Sequence, residues 1–351
     1  MSDTTPSHGA PVPSPERLRE LVRKMRGQAV LMVTDLVADR YILGTPKRIS
    51  REAPVLILRY EEERTVPGGG GNAVMNVATL GGRPLAVGAV GDDDSGRRLL
   101  EIFAANGIVT DGIQVVEGYR TPTKTRILGG GPHSIKQQVV RYDMEDRLPS
   151  RAQVRRACLE ALESHAGEGR VAVLSDYGYG SVLPDLVPEV RRAVSPGGRI
   201  LCDSRYRLAE FRGIDGATPN EEEALALLGG DPAADLERDG ARLAERMGLA
   251  FLLITRGSLG MVLFGDGARG RIPVHGTAEV ADVTGAGDTV IGAFSLAIAA
   301  GASPLEAALV ANYAGGVVVG KAGTAVVTPE ELDEAIASDP APLEEMTWER
   351  S

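Results

Sequence analysis

Residues 282–288, DVTGAGD, have the residue types of an anion site that also carries a base. The Gly-Ala-Gly at 285–287 lets backbone N–H groups approach a ligand, and an almost wholly apolar segment follows at 290–301. A helix that is apolar all round is buried, and its amino end presents unpaired N–H groups with a partial positive charge. The pattern predicts a phosphate site at this helix end. Asp288 is then the candidate base for an attacking hydroxyl, with a simple helix cap as the alternative.

Two further segments have spacings that suit a nucleotide and its metal ion. In NEEE, Asn220 and Glu223 stand three residues apart at a predicted helix start. Their oxygens suit Mg²⁺, which keeps several waters and is held through one or two carboxylates, although N-capping by Asn220 alone explains the spacing more simply. In TRGSLG, Thr255, Gly257 and Gly260 predict a turn that could pass close to a nucleotide or lead into an ordinary hairpin.

The segment 67–82, PGGGGNAVMNVATLGG, places four glycines before an apolar helix and predicts a second helix-tip site, for a sugar. Its Gly68-x-Gly70-x-x-Ala73 spacing matches a dinucleotide fingerprint only superficially, because Pro67 and the charged residues before it fit the required strand poorly. The segment GGVVVGKAG at 315–323 is similar to a Walker A loop. It lacks the Ser or Thr that holds Mg²⁺ and lies in an apolar run, so we reject a P-loop there.

Residues 38–66 and 118–143 are rich in strand formers with turns between them, and the second range is typical of a hairpin. Both predict antiparallel strands in a small β-sheet beside the main one, which we expect to act as a lid over the active-site rim. Basic side chains along these ranges could bind a substrate phosphate or form a solvated face. They are Arg48, Lys124, Arg126, Lys136 and Arg141.

Short apolar runs at 29–35, 171–178, 199–204 and 250–257 have the composition of strands buried on both faces of a parallel sheet. Helical segments alternate with several of them, so we expect an α/β fold with a doubly wound, mainly parallel sheet flanked by helices. Ligands bind beyond the carboxyl ends of such strands. The polar residues predicted at that rim are Asp35, Ser175, Asp176, Asp203, Thr255 and Arg256.

We expect one domain over residues 14–335, with the lid segments inserted, between a disordered tail at 1–13 and a polar C-terminal tail at 336–351. The formal net charge of −10 disfavours a nucleic-acid partner. Two cysteines without a Cys-x-x-Cys pair, and four histidines without ligand spacing, predict no structural zinc and fit a reducing compartment. The chain shows no signal-peptide pattern and no apolar run near the ~20 residues of a membrane span, so we expect a cytoplasmic protein.

Together these segments resemble the ribokinase-type (PfkB) family of carbohydrate kinases over residues 29–335. DVTGAGD resembles the ATP-side signature of that family, NEEE its Asn-x-x-Glu magnesium motif, and the glycine-rich segment with Asn72 its sugar-side motif. Within the family, DLVADRYILG, RISREAPV, LSDYGYG and ATPNEEE resemble the kinase domain of the ADP-heptose pathway.

The resemblance implies a ribokinase-like fold and phosphorylation of the anomeric hydroxyl of D-glycero-D-manno-heptose 7-phosphate by ATP and Mg²⁺. It implies Asp288 as the base, and it assigns the transferred phosphate to Thr284, Gly285, Ala286 and Gly287. ATP would lie along Asn220, Thr255, Gly257, Gly260 and Asn312, with Asn220 and Glu223 organising Mg²⁺ through water. The sugar and its phosphate would meet Asp35, Asp39, Gly69, Gly70, Asn72, Lys124, Arg126 and Arg141.

The resemblance also implies a monovalent cation such as K⁺ near Asp282 and residues 317–325, and a homodimer formed through the lid. This chain shows no His-x-Gly-His motif of a nucleotidyltransferase, so a separate partner enzyme would perform that step. Two other functions stay open. One is a kinase of the same family for fructose, ribose, a nucleoside or a secondary-metabolite sugar, and the other is a non-catalytic sugar or nucleotide sensor. A dinucleotide-dependent oxidoreductase is a remoter alternative.

The chain departs from the pattern of the family at several places near the predicted rim. Thr34 stands where glycine is usual, Gly70-Gly71 replaces two alanines, and Tyr179 stands where lysine is usual. DSRY at 203–206 replaces Asp-Pro-Lys-Gly, so Arg205 keeps the charge with a different geometry. These changes bear on which sugar binds more than on the chemistry.

Overall fold

Two β-sheets and the helices around them make up the structure, a computed structural model that describes residues 12–131, 136–150, 152–230, 235–265, 267–276 and 282–350. The strands are β1 (Ala29–Thr34), β2 (Leu36–Ile49), β3 (Leu56–Gly69), β4 (Arg83–Gly91), β5 (Ile113–Val116), β6 (Thr123–Gly129), β7 (Gln137–Met144), β8 (Val171–Asp176), β9 (Arg199–Ser204), β10 (Gly216–Ala217), β11 (Phe251–Thr255), β12 (Met261–Gly265), β13 (Ala268–Ile272) and β14 (Thr347–Arg350). The helices are α1 (Pro15–Met25), α2 (Gly70–Thr79), α3 (Asp94–Ala105), α4 (Ala152–Ser164), α5 (Val187–Ala193), α6 (Glu221–Leu227), α7 (Leu236–Met247), α8 (Ala286–Ala299), α9 (Pro304–Val319), α10 (Pro329–Ser338) and α11 (Ala341–Glu344).

The main sheet has ten strands in the order β14-β13-β12-β11-β10-β9-β8-β1-β4-β5. The strands from β5 to β11 in this order pair in parallel, and β12, β13 and β14 continue the sheet antiparallel. The chain builds outwards from β1 through β4 and β5 and then returns to place β8 on the other side of β1. A switch point therefore lies between β1 and β8, and ligands of such sheets bind outside the strand ends at this point.

Both faces of the main sheet are covered, as the continuous apolar runs predict. In β1, Val30 and Met32 pack into one core with α1, α2, α8 and α9, whereas Leu31 and Val33 pack into a second core with α4, α5 and α7. All four side chains are at most 1% exposed. The doubly wound α/β fold is confirmed.

Helix α8 is the buried helix that the sequence predicts after residue 287. Every residue from Asp288 to Ala297 is buried, and the helix packs against α2 and α9. Helix α9 begins with a capping box formed by Ser303 and Glu306, and its helical path includes residues 315–319. The glycines there lie inside a helix and not in a strand-to-helix loop, in agreement with the rejection of a P-loop.

The strands β3, β2, β6 and β7, in this order, form a second sheet, which we call the lid sheet. The pairs β2–β3 and β6–β7 are antiparallel, as predicted, while β2 and β6 pair in parallel. The parallel pair arises because the chain passes through α2, β4, α3 and β5 before it returns to the lid sheet. Strand β3 leads directly into α2, but it belongs to the lid sheet, so no βαβ dinucleotide unit is present at this place. Residues 132–135 of the predicted hairpin turn lie outside the described residues.

The prediction of a polar tail at residues 336–351 is wrong. Helix α11 and strand β14 lie in this range, and β14 pairs with β13 at the edge of the main sheet. Leu343 and Met346 are buried, and Trp348 covers Gly270, where a Cβ would lie 2.5 Å from the indole ring. Apolar side chains at these positions anchor the segment despite its charged neighbours.

The predicted tail at residues 1–13 falls mostly outside the described residues, which begin at residue 12. Helix α1 begins at Pro15, because Ser14 caps it and the proline suits its first turn. None of the helices in the described part of the chain is both long and apolar enough to cross a bilayer.

Candidate active site

The amino end of α8 is open in the way the sequence predicts. Gly285 precedes the helix with a left-handed backbone (φ +80°), and a Cβ there would lie 2.5 Å from Asn72 Nδ2. No side chain among the described residues caps this helix end. Thr284 and Ala286 are partly exposed and Gly287 is exposed, so the N–H groups of this turn can reach a ligand.

Asp288 lies in the first turn of α8 and is only 5% exposed. Its Oδ1 accepts a hydrogen bond from the Tyr177 hydroxyl, and its Oδ2 accepts one from Asn72 Nδ2 at 3.2 Å. Burial raises the pKa of Asp288 to about 7, and the two hydrogen bonds oppose that rise because they favour the carboxylate. Within the described residues the carboxylate accepts no N–H of its own helix, which argues against the capping alternative. A carboxyl with such a pKa can take up and release a proton near neutrality.

Asn72 connects the amino ends of α2 and α8. Its Nδ2 donates to Gly285 O as well as to Asp288, at 3.2 Å each, and the side chain is 1% exposed. Asn76 Nδ2 supports it by donating to Asn72 O at 3.0 Å and to Asn72 Oδ1 at 3.3 Å. The amide that the sequence assigned to a sugar therefore also holds Asp288, and its contact with a sugar stays a prediction. Two asparagines four residues apart in an apolar helix were a signal for this pair, and the sequence analysis did not use it.

Tyr177 is the main site residue that the sequence analysis missed. It directly follows β8, at the rim where polar residues were expected. Its ring packs against Gly69, where a Cβ would lie 3.3 Å from Tyr177 Cε2, and Lys124 Nζ lies 5.6 Å from the ring centroid. Burial, and then the charge of Asp288, raises the pKa of Tyr177 well above its usual value, so the hydroxyl remains a hydrogen-bond donor.

The structure contradicts the predicted contact between Asp35 and a sugar. Asp35 is fully buried, and its Oδ2 accepts hydrogen bonds from the backbone N–H groups of Tyr177 and Tyr179, both at 2.9 Å. Its Oδ1 accepts the N–H of Ser181 at 2.8 Å. Both oxygens are directed into the protein, where they order the loop that follows β8.

A polar cluster joins the lid sheet to the segment after α9. Arg126 forms a buried ion pair with Asp39 Oδ1 at 2.7 Å, and Thr324 Oγ1 donates to Asp39 Oδ2 at 2.8 Å. The hydroxyl of Tyr41 lies 3.0 Å from Thr324 Oγ1. The predicted contact of Arg126 with a substrate phosphate would have to compete with Asp39 for the guanidinium.

The remaining basic residues of the lid sheet differ in how they are paired. Arg141 donates twice to Asp143, at 2.8 and 2.6 Å, and its side chain is 40% exposed. Lys136 pairs with Glu61. Lys124 is partly buried, and within the described residues it forms neither an ion pair nor a hydrogen bond. Burial lowers its pKa. Lys124 is therefore the candidate cation for a ligand at this site.

On the predicted ATP side, Asn220 and Glu223 form a reciprocal capping box at the start of α6, with bonds of 2.9 and 2.8 Å. Capping by Asn220 is thus confirmed, and it leaves Glu223 Oε1 available. Asn220 also pairs with Thr255 across an isolated parallel bridge, which places the end of β11 beside α6. Gly257 and Gly260 have positive φ values and form the turn of the hairpin into β12. A Cβ at residue 260 would lie 2.1 Å from a backbone oxygen.

Two other predicted binding residues hold neighbouring segments in place. Asn312 is 2% exposed on α9, and its Nδ2 donates to Pro273 O at 2.9 Å. Asp282 accepts the N–H groups of Thr284 at 2.9 Å and Gly323 at 3.1 Å, one on each carboxylate oxygen. The contacts of Asp282 hold residues close to the amino end of α8. The monovalent cation at Asp282 stays a prediction.

Carboxylates from β9, α6 and α8 interact at the strand ends. Burial raises the pKa of Asp203 well above its usual value, and the like charges of Glu223 and Asp288 raise it further. A divalent cation would relieve this repulsion, and carboxylate oxygens are ligands that Mg²⁺ prefers. In the part of the chain that the structure describes, no group of three His, Cys, Asp or Glu side chains could hold a metal ion by itself. Water and phosphate oxygens would have to complete the coordination of Mg²⁺.

The structure thus gathers some of the predicted residues around Asp288 and leaves others apart. Asn72 contacts Asp288, and the charges of Asp39 and Lys124 shift its pKa. Glu223 belongs to this group because its charge, like that of Asp288, raises the pKa of Asp203. The predicted residues held in contacts elsewhere are Asp35, Arg141 and Asn312.

Comparisons with known proteins place this geometry among the sugar kinases. Residues 29–331 match the profile of the pfkB family of carbohydrate kinases. The bifunctional protein HldE of Caulobacter sp. (strain K31) is 41% identical over 327 residues, which cover 90% of this chain and 64% of that protein. The chain therefore spans a little under two thirds of the length of this curated relative.

Two solved structures share the fold at low sequence identity. Phosphofructokinase-2 from Escherichia coli, in complex with substrates and products, has a TM-score of 0.71 and 18% identity and covers 88% of this chain and 98% of its own. The ribokinase of Arabidopsis thaliana, complexed with ribose and ATP, has a TM-score of 0.67 and 20% identity and covers 90% and 100%. At these identities the likeness shows the fold alone, and it confirms the ribokinase-like fold with its small second sheet.

Proposed function

The chain belongs to the pfkB family of carbohydrate kinases, which are ATP-dependent phosphotransferases acting on sugars, and from this premise we propose that Asp288 is the catalytic base. The observation that carries the proposal is the position of Asp288. It is a buried carboxyl with a pKa of about 7, and it stands in the first turn behind an open helix end. That helix end can hold the transferred phosphate while Asp288 takes the proton from the attacking hydroxyl.

In the proposed reaction, the N–H groups of residues 284–287 stabilise the negative charge on the γ-phosphate as it leaves ADP. The sugar hydroxyl approaches the Asp288 carboxylate, which takes its proton as the new O–P bond forms. Lys124 and Arg205 form no ion pair within the described residues, so both are available to balance charge on the ligands. Mg²⁺ bound with ATP beside Asp203 and Glu223 would supply further charge neutralisation.

For the sugar, we propose D-glycero-D-manno-heptose 7-phosphate, phosphorylated at its anomeric hydroxyl. The segments that resemble the kinase domain of the ADP-heptose pathway and the 41% identity to HldE support this substrate. Lys124 supports a sugar that carries a negative charge, because it lies beside Tyr177 without an acidic partner among the described residues. The second candidate is a sugar that other pfkB kinases use, and the unusual residue Arg205 favours this alternative.

We also propose that two copies associate through the lid sheet and that a separate nucleotidyltransferase uses the product. Val140 and Tyr142, two positions apart on β7, are each 47% exposed, which supports an association surface. The word "bifunctional" in the name of the HldE relative supports a second activity that acts with the kinase. We further propose that a monovalent cation such as K⁺ binds near Asp282.

The substrate is tested by measuring ADP release from MgATP with the purified full chain. Heptose 7-phosphate, fructose 6-phosphate and ribose are compared at equal concentrations. We expect heptose 7-phosphate to give the highest kcat/KM. Faster turnover of another sugar would replace the heptose, and ATP or sugar binding without turnover of any sugar would favour a sensor.

The base is tested with Asp288→Asn, for which we expect a loss of ~10²–10⁴-fold in kcat with little change in ATP affinity. Asp333→Asn makes the same change of charge at a carboxylate that pairs with Arg19 on α1, and it should keep full activity. Turnover by Asp288→Asn within a few-fold of the unmodified chain would show that Asp288 is not the base.

A further inference from the structure

Tyr177 and Asn72 hold the carboxylate of Asp288 from two sides. The phenol donates to Oδ1 and the amide donates to Oδ2. A carboxylate has about four acceptor positions, so two hydrogen bonds leave others free on the same oxygens. An incoming hydroxyl can therefore reach Asp288 without displacing the phenol.

The ring that presents this phenol is itself held in place. The backbone N–H of Tyr177 is bound by the buried carboxylate of Asp35 at 2.9 Å. One edge of the ring lies against Gly69, whose φ of +52° and close approach to the ring suit only glycine. Lys124 Nζ lies 5.6 Å from the ring centroid. The loop that Asp35 holds and the glycine at residue 69 together set the position of the hydroxyl.

The other charged groups that face Asp288 come from β2, β6 and β9. The negative charges of Asp39 and Asp203 disfavour the ionised form of Asp288, whereas the positive charge of Lys124 favours it. Burial is the largest influence and acts against the carboxylate. The Tyr177 hydroxyl is the first of the groups that act in favour of the carboxylate, followed by Asn72 and Lys124. Its own proton is held firmly, because burial raises the pKa of Tyr177 well above the usual value.

We propose that Tyr177 is a positioning residue for phosphoryl transfer, which keeps Asp288 charged and directed at the incoming sugar hydroxyl. The proposal rests on the proposed function of Asp288 as the base. Tyr177 acts through Asp288, and the substrate hydroxyl donates its proton to the carboxylate and not to the phenolate.

The test compares Tyr177→Phe with Tyr179→Phe. Both variants lose one phenol from the same loop, but the Tyr179 hydroxyl donates to Glu145 Oε1 at 2.9 Å and does not contact Asp288. In Tyr177→Phe we expect the acid limb of kcat/KM to move up by about one pH unit, because the carboxylate loses a donor. We expect kcat at pH 6.5 to fall by up to about 10-fold and to recover to within a few-fold of the unmodified chain at pH 9. The acid limb of kcat/KM for Tyr179→Phe should stay at the pH where it lies in the unmodified chain, because the Tyr179 hydroxyl does not contact Asp288.

A second measurement does not depend on turnover. The free energy of unfolding is measured in urea at pH 5 and pH 8 for Tyr177→Phe, Asp288→Asn and the double variant. Tyr177→Phe should lose more stability at pH 8 than at pH 5, and this difference should vanish when residue 288 is Asn.

The outcomes separate the two proposals. An active Asp288→Asn would overturn the proposed base while the unfolding cycle still reports on the contact with Tyr177. Equal pH profiles for Tyr177→Phe and Tyr179→Phe, or a loss of kcat in Tyr177→Phe that is the same at every pH, would overturn the role of Tyr177.

Discussion

The side chain of Thr34 occupies the space that a side chain at residue 70 would need. A Cβ built on Gly70 would lie 1.4 Å from Thr34 Oγ1 and 2.9 Å from Asp35 O. Thr34 is fully buried at the end of β1, and Gly70 is the first residue of α2. Two departures from the family pattern, threonine for glycine and glycine for alanine, therefore compensate for each other at the rim of the site.

From this contact we predict that Gly70→Ala destabilises the protein by about 1–3 kcal/mol or more, because a packed core does not accommodate an added methyl group. Thr34→Gly in the same chain should restore much of the loss. Urea unfolding of the two single variants and the double variant gives the coupling free energy. Gly71→Ala is the control, since its Cβ would lie 3.2 Å from the nearest atom, in Pro67. Losses that simply add would show that the two positions are independent.

Ionisation of Asp288 should lower the free energy of unfolding of the protein at neutral and basic pH. Its folded-state pKa of about 7 lies above the usual value of 3.8, so folding favours the protonated acid. The stabilisation is complete below about pH 4 and is lost as the pH rises through 7. Asp288→Asn, which cannot ionise, should therefore be more stable than the unmodified chain at pH 8, by ~2–4 kcal/mol, and nearly equal at pH 4. Urea unfolding at the two pH values measures this, and a variant that is less stable at pH 8 would contradict it.

Lys124 should bind a negatively charged substrate more strongly than Arg141 does. Lys124→Met removes a cation that has no acidic partner among the described residues, and we expect KM for the phosphorylated sugar to rise by ~10-fold or more. Arg141→Met is the matched control, because Asp143 already binds that guanidinium. Steady-state kinetics at saturating ATP give both values. If the two variants raise KM equally, the lid contributes a diffuse positive charge and not a specific contact.

The lid sheet should mediate self-association. Val140→Glu places a charge on an exposed apolar position of β7, and we expect it to shift a dimer towards monomer, because a buried charge without a partner is costly. Val115→Glu is the control, because Val115 is an exposed valine on β5 of the main sheet, 54% exposed. Light scattering after size-exclusion chromatography reports the mass. A monomeric unmodified chain would refute the dimer.

Strands and helices could be predicted from the sequence where the pattern that determines them is local. Continuous apolar runs predicted β1 and β8, and the apolar segment after Asp288 predicted α8 as a buried helix. The Tyr177 contact could not be predicted in this way, because it depends on β8 lying next to β1 and facing a helix that begins 109 residues later in the chain. The sugar contact predicted for Asp35 was wrong for a related reason. Carboxylates that bind ligands also lie at strand ends, so the position of Asp35 in the sequence does not distinguish it from them. Only the path of the loop after β8 shows that its oxygens are taken. Strand β14 was missed because four residues with charged neighbours give little periodicity.

Asp35 also determines how the site can open. It is the one residue between β1 and β2, so a core strand runs almost directly into the lid sheet, and three backbone N–H groups clamp the junction. At this junction the lid sheet is therefore joined to the main sheet by a short, hydrogen-bonded connection. The pairing of β2 with β3 shifts between Leu43 and Gly44, where a bulge interrupts the ladder. We therefore expect the half of the ribbon beyond that bulge to move more than the half next to Asp35 when a sugar enters.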